Sequence, residues 1–124
     1  MTDWGSANIY LENASGNNIT DVTSNSSLGD GIYLYFSSSN TLTNITANSN
    51  GKGILLVFSS SNTLTNITAN YNGEEGIYLV FPSSNTFTDI TANSNSDYGI
   101  KIFANSDNNI IAVSYTHLTL PTKA

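Results

Sequence analysis

The sequence predicts an all-β chain, a single-stranded parallel β-helix (a solenoid) of about five coils of 22–23 residues. Three observations predict it. One strip of residues recurs at a near-constant step. A second strip follows each copy in constant phase. No segment carries the sustained 3.6-residue period of a helix.

The first strip reads Gly31-Ile32-Tyr33-Leu34-Tyr35-Phe36. It returns as Gly53-Ile54-Leu55-Leu56-Val57-Phe58, as Gly76-Ile77-Tyr78-Leu79-Val80-Phe81 and, weaker, as Gly99-Ile100-Lys101-Ile102-Phe103-Ala104. An earlier copy opens at Asn8-Ile9-Tyr10-Leu11. Coils therefore start at 8, 31, 53, 76 and 99, with residues 1–7 as an N-terminal edge and 8–112 as the repeat region. Ile32, Leu34 and Phe36 alternate with Tyr33 and Tyr35. That period of two predicts a strand with the first three residues turned inward. Its β-branched and aromatic residues suit a pleated surface.

The second strip runs from Asn40 to Asn48 as Asn-Thr-Leu-Thr-Asn-Ile-Thr-Ala-Asn. Its letters are identical from Asn62 to Asn70, and from Asn85 to Asn93 only Phe87 and Asp89 differ. A degraded copy covers Asn17 to Asn25, and a truncated one starts at Asn108. Leu42 and Ile45 stand three apart, which predicts two short strands broken by a bend at Asn44. Three strands and three bends per coil follow.

Stacked coils place equal positions about 4.8 Å apart. Ile32, Ile54 and Ile77 then share an inward ladder with Ile9 and Ile100, and Leu34, Leu56 and Leu79 share one with Leu11 and Ile102. Phe36, Phe58 and Phe81 form an aromatic stack. Leu42, Leu64, Phe87 and Ile110 line another wall, and Ile45, Ile67 and Ile90 a third. Asn17, Asn40, Asn62, Asn85 and Asn108 fall at one position per coil, and Asn25, Asn48, Asn70 and Asn93 at another. Asn tolerates left-handed backbone angles and bonds nearby main chain. These columns are expected to satisfy backbone groups at the bends rather than to bind a ligand.

The Gly-Ile-x-Leu strips followed by Ser-Ser-Asn-Thr-Leu-Thr resemble the parallel β-helix repeats of NosD-like proteins, within the wider pectin-lyase-like group of carbohydrate-binding and sugar-cleaving β-helices. The resemblance covers residues 8 to about 112. It implies a right-handed coil and an extracellular, cell-surface or periplasmic location. Residues 113–124 break the repeat style and resemble a translated sequencing adaptor. The expectation is a non-native tail, in which His117 has no function, after a native chain cut short within a coil.

Composition narrows the chemistry. Asn, Ser and Thr account for 52 of 124 residues, yet their ordered recurrence argues against disorder. Three Lys, no Arg and a net charge of −6 argue against a nucleic-acid partner. No apolar run reaches the length of a membrane span. The chain has no Cys, and the copper chemistry linked to NosD-like proteins would find only Met1 and His117. Asp21 and Asp89 share a column but are separated by coils carrying Asn44 and Asn66, roughly 14 Å in all, too far for a paired-carboxylate hydrolase. Glu74 and Glu75 read as a solvated bend. Lys52 and Lys101 show no acidic cluster in their repeat columns. No catalytic, cofactor-binding or metal residue is therefore assigned, and no cofactor is expected.

One face stands out. Outward positions of the first strip include Tyr33, Tyr35, Tyr78 and Phe103, an aromatic stripe on a surface expected to be wet. These four are the candidate glycan or partner contacts. Thr-x-Thr pairs such as Thr41 and Thr43 read as ordinary strand surface, and Asn44-Ile45-Thr46 and Asn66-Ile67-Thr68 as sequons of no consequence unless the protein is exported. The expected function is a non-catalytic piece of a surface β-helix protein, structural or adhesive. Its partners would be a polysaccharide or cell-wall glycan and further coils of a parent chain. The alternative is a fragment of a polysaccharide lyase or glycoside hydrolase whose catalytic coils lie elsewhere.

Overall fold

The computed structural model describes residues 7–103, 109–112 and 115–116. Its strands in chain order are β1 (Ile9–Glu12), β2 (Asn18–Thr23), β3 (Asp30–Tyr35), β4 (Thr41–Thr46), β5 (Lys52–Val57), β6 (Thr63–Thr68), β7 (Ile77–Val80), β8 (Thr86–Ala92), β9 (Ile100–Phe103), β10 (Ile110–Ala112) and β11 (Tyr115–Thr116). Odd strands β1-β3-β5-β7-β9 form one parallel sheet. Even strands β2-β4-β6-β8-β10 form the other, and β11 also pairs with β8. Successive strands thus alternate between two sheets, each coil gives one strand to each, and the coils stack on one another. This is a parallel β-helix, with registers Ile9↔Ile32, Ile32↔Ile54, Ile54↔Ile77 and Ile77↔Ile100.

The expected inward ladders form the core. Ile32, Leu34, Ile54, Leu56, Ile77, Leu79 and Ile100 are fully buried from one sheet. Leu42, Ile45, Leu64, Ile67, Phe87 and Ile90 meet them from the other. A single coil has no interior; burial exists only because like side chains stand over like.

Four non-glycine residues per coil take left-handed backbone angles: Phe36, Ser39, Asn44 and Ser49 in one coil, then Phe58, Ser61, Asn66 and Tyr71, then Phe81, Ser84, Asp89 and Ser94. The bend at Asn44 is therefore real, but it kinks one strand instead of dividing two. It also explains why Leu42 and Ile45, three apart, both point inward. The same geometry corrects the phenylalanines. Positive φ at Phe36 ends the strict alternation, so its ring turns outward. Phe36, Phe58 and Phe81 are 44–48% exposed rather than buried. They do stack, with centroids 4.9 and 5.1 Å apart and planes within 13°. Stacking recovers some of the strain of placing a bulky residue there.

The Asn columns bind coil to coil, in two directions. Asn17, Asn40 and Asn62 each donate their backbone N–H to Oδ1 of the Asn one coil later. Asn48, Asn70 and Asn93 each donate to Oδ1 of the Asn one coil earlier. The first column ends on Asn109, which accepts the Asn85 N–H at 2.9 Å. Asn108, expected there, lies outside the described residues. The last step is 24 residues, so Ile111, not Ile110, is in register with Phe87. A third column, unrecognised in the sequence, links Ser27, Asn50, Asn72 and Asn95 by the same backbone-to-amide bond. An exposed fourth runs Asp21, Asn44, Asn66 through side chains alone.

Of the segment 113–124, only Tyr115 and Thr116 are described. They pair in parallel with Thr91 and Ala92 of β8. Met1 and His117 lie outside the described residues.

Candidate functional site

The outer face of the odd-strand sheet carries the candidate residues. One column reads Tyr10, Tyr33, Leu55, Tyr78, Lys101, and the next Glu12, Tyr35, Val57, Val80, Phe103. All four aromatic candidates are on this sheet, but they do not form one cluster. Tyr33 and Tyr35 are neighbours, with centroids 6.0 Å apart, and Tyr10 packs on Tyr33 at 5.0 Å. Tyr35 meets Phe36 edge-on at 4.7 Å. Phe103 leaves the tyrosines and meets Phe81 edge-on at 6.4 Å, at the head of the phenylalanine ridge. Tyr78 stands apart, two coils beyond Tyr33.

What surrounds Tyr78 was missed from sequence. Lys52 and Lys101 both place their ammonium over its ring, at 5.9 and 5.1 Å from the centroid, and Lys101 lies 5.2 Å from the Tyr98 centroid. Ammonium groups near aromatic faces are attracted by the ring quadrupole. Lys52 is hydrogen-bonded to Glu74, and Lys101 is 4.0 Å from Glu75. Asp30 pairs in register with Lys52. The reading that Lys52 has no acidic cluster in its repeat column is thereby corrected, since Asp30 and Glu75 share that column. The column of Lys101 does hold no acid, and Glu75 reaches it from another position. The reading of Glu75 as a solvated residue is corrected too: it is 4% exposed, and its Oε1 is buried without a hydrogen-bond partner. Glu74, by contrast, is exposed. The signal was available in the spacing. Lys52 follows Asp30 by one coil, and the next coil brings the Glu74-Glu75 pair to the same bend.

Burial dominates the electrostatics here. It lifts the Asp30 carboxyl to about 6, against the pull of Lys52 and with help from Glu74 and Glu75. Burial also raises Glu75, opposed by Lys52 and Lys101. For Lys52 burial acts downward, but the hydrogen bond and charge of Glu74 outweigh it and hold the ammonium above its ordinary value. Tyr33 is raised by burial first and by Tyr35 and Asp30 next.

A stability prediction follows from the sign. The folded state holds the Asp30 proton to higher pH than the unfolded chain does. The contribution of Asp30 to stability therefore falls as pH rises from the ordinary carboxylate range through about 6, and is flat above it. Asp30→Asn is expected to melt above the wild type at about pH 7.5 and to coincide with it near pH 3.5. Equal melting temperatures at both pH values would contradict the assignment.

Among the described residues, no group of three or more acidic or imidazole side chains could hold a metal ion. No helix there is long and apolar enough to cross a membrane.

No curated protein and no solved structure matches the chain. The family model of the right-handed β-helix region matches residues 1–117. With two parallel sheets, in-register ladders and Asn columns among the described residues of that match, the chain belongs to the right-handed β-helix family.

Proposed function

We propose that this β-helix is a non-catalytic structural and adhesive unit that holds a glycan chain along the outer face of its odd-strand sheet. The carrying observation is the convergence of both described cations, Lys52 and Lys101, on Tyr78, with Lys101 also beside Tyr98, in a chain of net charge −6. A sugar ring offers C–H groups to an aromatic face and hydroxyls to charged or phenolic groups. Tyr33, Tyr35 and Tyr78 supply both on a rigid surface. The phenylalanine ridge is less suited, because Phe36, Phe58 and Phe81 stack face to face and spend the faces between them on one another. The NosD-like resemblance supports a cell-surface or periplasmic location, with a cell-wall polysaccharide as the partner in reach and further coils of a longer chain continuing the stack.

A second reading is favoured by the Lys101–Glu75 approach: a piece of a carbohydrate-active enzyme. Against it stands the burial of Glu75 Oε1, which closes that oxygen to a substrate proton.

A glycan array probed with the whole chain tests the leading reading. At least one polysaccharide should be retained, and Tyr35→Ala and Tyr78→Ala should each weaken retention about tenfold. Undiminished binding by the Tyr33, Tyr35 and Tyr78 triple alanine variant would sink the assignment. Release of unsaturated or reducing sugar ends from a retained glycan would move the function to the enzyme reading.

A further inference from the structure

Among the described residues, Lys52 and Lys101 are the two cations a ligand could use on this face, and each has a carboxylate partner. Glu74 bonds Lys52, and Glu75 approaches Lys101 at 4.0 Å. Both lysine side chains remain part-exposed, at 23% and 27%, so a ligand can reach them. The neighbouring carboxylates are unequally secured. Glu74 is exposed to water, whereas Glu75 is almost wholly buried with Oε1 unpaired. A buried carboxylate with an unmet acceptor is poorly stabilised as an anion. Asp30 is half-buried at the start of β3, opposite Lys52.

The groups facing each carboxylate come from every strand packed there. Asp30 faces Lys52 on β5, Glu74 and Glu75 on the bend before β7, and Tyr33 on its own strand. Glu75 faces Lys52 on β5, Lys101 on β9 and Glu74 beside it. With all of Asp30, Glu74, Glu75, Lys52 and Lys101 ionised, three negative and two positive charges leave a net −1.

We propose that Asp30 and Glu75 are built-in competitors for the two lysines, so that the face around Tyr78 takes an anionic glycan in mildly acid solution and releases it as the pH rises. This rests on the glycan-contact reading above and adds its charge class and its control. The sign is set by burial. Asp30 gains its proton as the pH falls through about 6, and Glu75 is shifted in the same direction. The cluster passes from net −1 to neutral when the first is protonated and to +1 when both are. The ammoniums of Lys52 and Lys101 then face an incoming anion with fewer rivals. The site is part-exposed and screened, so the gain is on the order of tenfold.

The test uses the whole chain and a fluorescent sulfated dextran, which stays ionised throughout, with unsulfated dextran beside it. Retention is measured at about pH 5 and about pH 7.5 at one ionic strength. Binding of the sulfated probe should be about tenfold tighter at the lower pH. The double variant Asp30→Asn, Glu75→Gln should bind at the higher pH more tightly than wild type does there, with no remaining step between the two pH values. Lys52→Gln with Lys101→Gln should lose the sulfated probe at both. Asp89→Asn removes one negative charge from the other sheet and should leave the wild-type step intact, which separates local competition from net charge. Should the double variant fail to fold by its thermal melt, Asp30→Asn alone must still shrink the step by about threefold.

A wild type that binds equally at both pH values overturns the gate and leaves glycan contact standing. So does a step that survives in the double variant or changes in Asp89→Asn. No retention of either dextran, at either pH, by wild type or variants, together with a blank glycan array, overturns both.

Discussion

Replacing Asn62 with leucine is expected to cost the fold on the order of 3–5 kcal/mol. Leucine is close to asparagine in size, so no large cavity opens. The loss is in hydrogen bonding. Asn62 is fully buried. Its Oδ1 accepts the Asn40 N–H at 2.8 Å, and its Nδ2 donates to the Ser37 carbonyl and to Asn85 Oδ1 at 3.0 and 3.1 Å. Leucine strands the Asn40 N–H and removes a donor from the Ser37 carbonyl, both inside the stack. Each buried group left unpaired costs roughly 1–3 kcal/mol. That sum is a large part of the stability of an ordinary domain. Urea unfolding of Asn62→Leu should show its midpoint fall steeply, while Thr63→Ala, exposed next door, should stay within about 0.5 kcal/mol of wild type. A shift for Asn62→Leu as small as that for Thr63→Ala would mean the column is ornamental.

Gly53→Ala should cost roughly 3 kcal/mol, for a steric reason. A Cβ at Gly53 would press into the Gly76 carbonyl oxygen of the next coil, closer than real contacts allow, and would lie 3.0 Å from both the Ala47 carbonyl oxygen and Asn72 Nδ2. The first two are backbone atoms that cannot step aside without parting the coils. Gly31 and Gly76 occupy the same position, with their nearest neighbours 2.6 and 2.7 Å away. Gly73 is the comparison. A Cβ there meets only Asn50 and Gly51 carbonyl oxygens at 3.8 and 3.9 Å. Gly73→Ala should be neutral or stabilise by up to about 1 kcal/mol through the unfolded chain. Thermal melts of the two variants side by side decide the matter; matching effects would refute it.

The core was readable because the side-chain period and the coil period are both rigid. Ile32, Ile54 and Ile77 can share one interior only if the coils stack, and the sequence shows both periods. The phenylalanines were misplaced because alternation was carried one residue too far. Nothing in Tyr35-Phe36 announces positive φ, and a bulky ring is an unexpected occupant of that region. The Asn50, Asn72, Asn95 column escaped notice because its first coil has Ser27 and its neighbours vary, unlike the repeated second strip. The shift from Asn108 to Asn109 reflects one extra residue in the last turn, which letters alone leave ambiguous between adjacent asparagines. The charged cluster was only half legible: Asp30, Lys52 and Glu75 share one column, but its meeting with Tyr78 and Lys101 does not follow from the repeat. Lys52, Glu75, Tyr78 and Lys101 belong to three coils and two repeat columns, and their meeting depends on long side chains crossing between rungs.

The orientation of the inter-coil bonds has a mechanical consequence. They run along the long axis of the rod, so tension applied to its two ends loads the rungs in series, each resisting with its bonds in parallel. Failure of one rung frees a loop of about 22 residues, whose contour is roughly 75 Å at about 3.4 Å per residue. Such a rod is stiff under small forces and lengthens by large, discrete increments under great ones.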